Sequence, residues 1–210
     1  MSDVVPTDQG AFAPRARRPM VPAAEAQRRL VDAAIALLQT HQVGSVTQRM
    51  VSEEAGLHMT TITRNFGSMY GFFGNVSEVL TARVYERMSA VRNLDIFNDS
   101  DFLLRTKILA WLIAEGIDPA LFQSTAEIRL AGVLLDRFRS EFATADGSPG
   151  ISQRTAAGWL RIGTFLLEGT ILFREVHRVS DEEFLDMALL FNGFIERLPE
   201  IERDLGWAED

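Results

Sequence analysis

The chain has 210 residues, 47% of them hydrophobic, long enough to bury a sizeable core as one large or two small domains. It has no cysteine, which excludes disulfides, thiolate metal ligands and thiol redox sensing. The net charge of −8 is unevenly spread: residues 1–75 hold seven arginines against six carboxylates, and residues 76–210 hold fourteen basic against twenty-three acidic side chains. Local potential rather than net charge governs docking on a polyanion, so an acidic whole does not exclude nucleic acid. No uninterrupted apolar run approaches the ~20 residues of a membrane span, and no charged start leads into a hydrophobic core. A cytoplasmic protein with no membrane partner is expected.

Residues 1–21 contain Pro6, Pro14 and Pro19 without apolar periodicity and read as a flexible arm carrying Arg15, Arg17 and Arg18. A basic arm beside a DNA-reading head follows the backbone or enters the minor groove; the same cluster also suits a merely solvated tail. Residues 27–42 then place Leu30, Ala33, Ala34, Leu37 and Leu38 on one helical stripe ending near Gly44. Thr47 to Phe66, TQRMVSEEAGLHMTTITRNF, divides into two short helical patterns at Ala55-Gly56-Leu57. The first, Thr47 to Glu54, would turn Met50 and Val51 inward. Gly56 supplies the positive φ of a sharp helix exit. The second, about Met59 to Phe66, would bury Ile62 and Phe66. Such a hairpin is common in helical proteins of any function. With a third amphipathic helix in front, it reads as a helix-turn-helix over residues 22–75. Thr47, Gln48 and Arg49 would then meet phosphate, while His58, Met59, Thr60, Thr61, Thr63, Arg64 and Asn65 face the major groove.

Leu30-Val31, Ala33-Ala34, Leu37-Leu38, Gly44, Thr47, Val51, Ala55-Gly56-Leu57, Thr61-Ile62, Phe66, Ser68 and Phe72-Phe73 together resemble the N-terminal domain of TetR-family transcriptional regulators, over about residues 27–75. The resemblance implies an all-α chain of nine or ten helices. It also implies a homodimer on double-stranded DNA, and a C-terminal domain whose small-molecule effector releases a repressor from its operator. Three positions depart from the family pattern: Thr63 stands where Tyr is general, Met69 where Lys opens the fourth helix, and Asn65 where His is frequent. Met69 donates no hydrogen bond, so one phosphate contact per subunit is expected to be missing, and the arginines of the arm would replace it. A helical dimeric adaptor or small-molecule binder that kept this fold but lost operator binding is the alternative.

Beyond residue 67 the chain continues in helical periods. Ser68 caps a fourth helix running to about Arg92. Asn98-Asp99-Ser100 starts the next, and Gly116 ends it. Asp118-Pro119 opens another, reaching about Ala143 with a break near Ser124, before a loop over residues 145–150. Helices of about Ser152 to Val176 and Asp181 to Arg197 follow, the second with a capping box from Ser180 to Glu183. Both are apolar over more than one stripe, which demands burial on two sides. In the family this pair forms the dimer's four-helix bundle, so Trp159, Ile162, Leu166, Phe173, Phe184, Met187, Phe191 and Phe194 are the interface candidates. Gly158, Gly163 and Gly169 would permit close approach.

The region 76–210 would also hold the effector site. Met88, Phe97, Phe102, Leu109, Trp111, Leu112, Phe122, Phe138 and Phe165 are candidate lining for an apolar or aromatic small molecule, with Arg105, Glu127 and Arg129 as polar anchors. Each taken singly also fits plain core or, for the charged ones, a solvated helix face. Catalysis is the rival class. His41, His58 and His177 are the only histidines, and His177 with Glu175 and Asp181 forms at most a loose cluster at a helix end. Glu182 and Glu183 diverge on their helix, and no nucleophile elbow, P-loop or zinc spacing is present. No enzyme, metal or cofactor is expected.

Overall fold

A computed structural model describes residues 21–90, 99–118, 125–143 and 150–207, and among these the chain is all-helical, with no strand. The helices are α1 (Ala23–Leu38), α2 (Gln48–Glu54), α3 (Thr60–Phe66), α4 (Met69–Ala90), α5 (Ser100–Ala114), α6 (Thr125–Glu141), α7 (Gln153–His177), α8 (Asp181–Glu196) and α9 (Leu198–Asp204), with a 3-10 turn at Val43–Ser45. The arm's Arg15, Arg17 and Arg18 lie outside the described residues, as do Phe97, Phe122 and the loop over 145–149.

Helix starts follow local chemistry. Thr47 Oγ1 accepts from the Met50 N–H, Ser68 Oγ from Gly71, Asp99 from Asp101 and Phe102, and Ser152 from Thr155. Ser180 and Glu183 form the complete capping box. Each satisfies N–H groups that a helix leaves unpaired, a contribution of about 1 kcal/mol per cap. Helix α1 begins four residues ahead of the expected start, because Pro22 leads into Ala23-Ala24-Glu25-Ala26, strong helix formers that extend the first turn. It stops at Leu38 rather than near Gly44. Helix α9 was not anticipated; Pro199 sits in its first turn, and Leu198 is buried.

Three buried clusters order these helices. The first joins Leu30, Ala34 and Leu38 of α1 with Val51 of α2, Ile62 of α3, Phe72, Phe73, Val76 and Leu80 of α4, and Leu104, Ile108 and Leu112 of α5. The second holds Val84 and Met88 of α4 with Phe102, Leu130 and Leu167. The third holds Phe138, Ile151, Ala156 and Leu198. Helix α4 therefore runs through two cores, its first half with the N-terminal helices and its second half with α5, α6 and α7. At about 1.5–3 kcal/mol for each fully buried large side chain, these contacts tie α4 into both cores.

By length and composition α7 is apolar enough to cross a membrane. In this fold one face of it packs on α5 and α6, and Glu168 midway along it is ion-paired to Arg105 of α5.

Candidate functional site: the α2–α3 surface and the body cavity

Helices α2 and α3 are joined by a turn in which Gly56 takes φ +64° and the Leu57 N–H donates to the Ser52 carbonyl at 2.9 Å. Val51 and Ile62 are fully buried beneath the pair, while Met50, expected inward, is half-buried. Thr60, Thr63 and Arg64 lie on the outer face of α3, and Met59 just ahead of it is exposed as well; Thr61 is half-buried. The Arg64 guanidinium has no hydrogen bond or ion pair among the described residues, which leaves all its donors to water.

Other residues expected at the groove are occupied within the chain. The Gln48 amide donates to the Met59 carbonyl and to Thr63 Oγ1, the latter at 3.2 Å, so it pins α2 to α3. Asn65 donates to the Thr61 carbonyl at 2.7 Å and accepts from Gln27 at 3.5 Å, which turns it toward α1 and away from the outer face. Arg49 is ion-paired with Glu53 at 2.7 Å on an exposed helix face; the carboxylate one turn on raises the guanidinium's proton affinity further. Such an exposed pair is weak enough for a phosphate to exchange with Glu53. Thr47 keeps a hydroxyl proton to donate, because its oxygen acts as the acceptor in the cap. His58 Nδ1 lies 3.0 Å from Thr60 Oγ1 and 3.4 Å from the Thr60 backbone nitrogen, so its ring is folded onto the start of α3. Met69 packs against the first core cluster.

In the body, α5, α6, α7 and α8 line an open-sided cavity of about 280 Å³. Phe102 and Phe138 line it as expected, with Leu130, Trp159, Leu167 and Phe191 among its apolar walls. Among the described residues its charged lining is Arg105 and Glu168, joined by an ion pair at 3.1 Å. Arg105 Nε also donates to Thr81 Oγ1 of α4 at 3.1 Å, and the guanidinium sits 5.6 Å from the centre of the Phe102 ring. Glu168 was missed in the sequence; it lies 63 residues from Arg105, and no local pattern joins the two.

Several expected lining residues are placed elsewhere. Trp111 stacks on Tyr70 at 5.5 Å, meets Phe73 edge-on at 5.4 Å and covers Gly44, so it seals the contact between α5 and the N-terminal helices. Leu112 is buried in that same first cluster, and Leu109 is half-buried on α5. Met88 is buried in the second cluster behind Phe102. Arg129 is exposed on α6, and the side chain of Glu127 lies outside the described residues. Phe165 is 72% exposed and borders a shallow groove between α6 and α7. The physical reason is common to all: helical period tells which face of α5 or α7 is apolar, not which neighbour covers it.

The outer faces of α7 and α8 carry uncovered apolar side chains. Ile162, Leu166 and Phe173 on α7 and Met187 and Phe194 on α8 are all exposed, and Leu190 is exposed to 67%. Trp159 and Phe191, two of the interface candidates, instead stack on each other at 4.7 Å and wall the cavity. Phe184 is half-buried under the Arg174 guanidinium at 5.4 Å. A Cβ on Gly163 would come within 3.2 Å of the Phe191 ring, whereas one on Gly158 or Gly169 would meet open space. Arg174 also pairs with Asp181, joining the end of α7 to the start of α8.

No family model matches this chain, and no curated protein matches it.

Proposed function

We propose that the chain is a ligand-responsive transcriptional regulator, a repressor that binds a near-palindromic operator as a homodimer through α2 and α3. The observation that carries this reading is Arg64, exposed and without a partner among the described residues, beside Thr60 and Thr63 on the outer face of a short helix packed on α1, α2 and α4. That is the kind of surface that enters a major groove, and it agrees with the TetR-like order of residues 27–75. The exposed apolar faces of α7 and α8 suit a second copy of the chain, because a two-fold pair presents two heads to two half-sites. The cavity among α5 to α8 suits an effector, since Arg105 in its wall donates to Thr81 of α4, the helix that also packs with the reading head. Release then follows when the effector favours a body conformation that spaces the two heads wrongly.

The second reading, a dimeric small-molecule binder that has lost its operator, is favoured by the occupied amides of Gln48 and Asn65 and by Met69 packed into the core where the family has Lys. Selection of bound fragments from random and genomic DNA by purified protein, at low and physiological salt, separates the two. A near-palindromic sequence supports the regulator; a folded dimer that enriches nothing at either salt supports the binder.

A further inference from the structure

We infer that the effector of the body cavity is an uncharged aromatic or apolar molecule that carries a hydrogen-bond donor, a phenol-like hydroxyl or an N–H, and delivers it to Glu168 and Thr164 on α7. The inference rests on the reading of this cavity as the effector site and names the chemistry of its guest. Arg105 and Glu168 line the cavity as a pair of opposite charges, Arg105 Nη1 donating to Glu168 Oε1 at 3.1 Å. Arg105 is 7% exposed and engaged on a second side, where its Nε donates to Thr81 on α4. A carboxylate has two oxygens and only accepts. Glu168 gives one of them to Arg105; the other has no partner among the described residues, on a side chain that is 28% exposed. Thr164 stands one turn earlier on the same face of α7 and lines the cavity as well. Its hydroxyl proton goes to the Leu160 carbonyl at 2.9 Å, which leaves its oxygen able to accept. Among the described residues the wall thus presents two open acceptors one helical turn apart. The indole N–H of Trp159, a donor in the same wall, is buried out of reach of a water-sized group.

Charge and size narrow the guest further. An anion would face the Glu168 carboxylate, and a cation would compete with Arg105 for that one carboxylate; either leaves charge poorly compensated between apolar walls. Those walls are Phe102, Phe138, Trp159 and Phe191, which suit a flat or flexible hydrocarbon body. At ~30 Å³ per water-sized unit, about 280 Å³ admits a molecule of roughly ten non-hydrogen atoms.

Calorimetric titration of the full chain at pH 7, without DNA, with 4-propylphenol, its methyl ether, 4-propylbenzoate and 4-propylbenzylamine tests this. A phenol ionises near pH ~10 and is uncharged there. It is expected to bind at least about tenfold more tightly than the ether, which only accepts, and than either charged analogue, because its hydrogen bond goes to a charged acceptor. In Glu168→Gln the amide oxygen takes over the bond from Arg105 and turns an NH₂ donor to the guest, so the preference for phenol over ether should fall below about threefold or reverse. Circular dichroism checks the fold of that variant, and the four ligands on the wild-type chain decide alone if it fails to fold. Tightest binding of the acid or the amine, or an unchanged preference in folded Glu168→Gln, overturns the inference. An ether that binds as well as the phenol removes the ligand class and leaves the cavity as the effector site, whereas no binding of any of the four removes both. Phenol binding that leaves DNA affinity unchanged would retain the ligand class and remove the regulator reading.

Discussion

Replacing Glu202 by Gln tests how the C-terminal helix is fastened to the body. Glu202 is 4% exposed, and its carboxylate accepts from the Ser152 N–H at 2.9 and 3.2 Å and from the Thr155 hydroxyl at 2.8 Å, capping the start of α7 from α9. Hydrogen bonds to a charged acceptor contribute about 1.5–3 kcal/mol, against about 1 kcal/mol for a neutral one, so two contacts lose roughly 1 kcal/mol or more each. The helix N-terminus adds up to about 1 kcal/mol for a negative charge. The amide regains part of this because it is cheaper to desolvate, which leaves an expected loss of about 1–2 kcal/mol. Burial pushes the Glu202 carboxyl up, but the hydrogen bonds from Ser152 and Thr155 outweigh it and hold the group below its ordinary value. A depressed folded value means that the contribution is whole above the unfolded value of about 4.3 and is lost as pH falls through the folded one. Urea unfolding at fixed protein concentration, followed by far-ultraviolet circular dichroism, should thus show a gap between wild type and Glu202→Gln at pH 7 that narrows in acid. A gap below about 0.5 kcal/mol at pH 7, or one that persists unchanged in acid, would refute the reasoning.

Arg64→Ala should weaken operator binding by about 1–3 kcal/mol, relaxing specificity at one position if Arg64 reads a base and lowering affinity uniformly if it holds phosphate; an unchanged binding isotherm removes it from the interface. Leu166→Glu with Phe173→Glu places two charges on the exposed apolar face of α7, and analytical ultracentrifugation at micromolar concentration should then find folded monomer, against the dimer proposed for the wild type. A wild-type monomer would sink the dimer outright. Gly56→Ala meets no neighbouring atom, so its cost is backbone strain alone at φ +64°, about 1–2 kcal/mol, measurable as a lowered thermal midpoint; an unchanged midpoint would show that the turn relaxes without penalty.

The features legible from the amino-acid order are local. Ser68 and Ser180 cap the helices they are expected to cap, α5 and α7 begin beside Asp99 and Ser152 as the sequence implies, Gly56 supplies the positive φ between α2 and α3, and Leu30, Ala34 and Leu38 line the buried stripe of α1. These follow from hydrogen bonds and sterics within a few residues, which neighbouring chain cannot easily override. Tertiary structure alone decided which surfaces meet. Trp111 went to Tyr70 and Phe73 rather than to the cavity, Asn65 turned onto the Thr61 carbonyl and toward Gln27, and Glu202 reached back 50 residues to cap α7. Arg105 found Glu168 in the same way. A period of 3.6 residues defines an apolar face but carries no information on its partner, and α7, apolar around most of its circumference, has no single face for the sequence to reveal. The outward stripe of α3 was legible; the free donor on it, Arg64, was distinguishable from the occupied Gln48 and Asn65 only once the helices were packed.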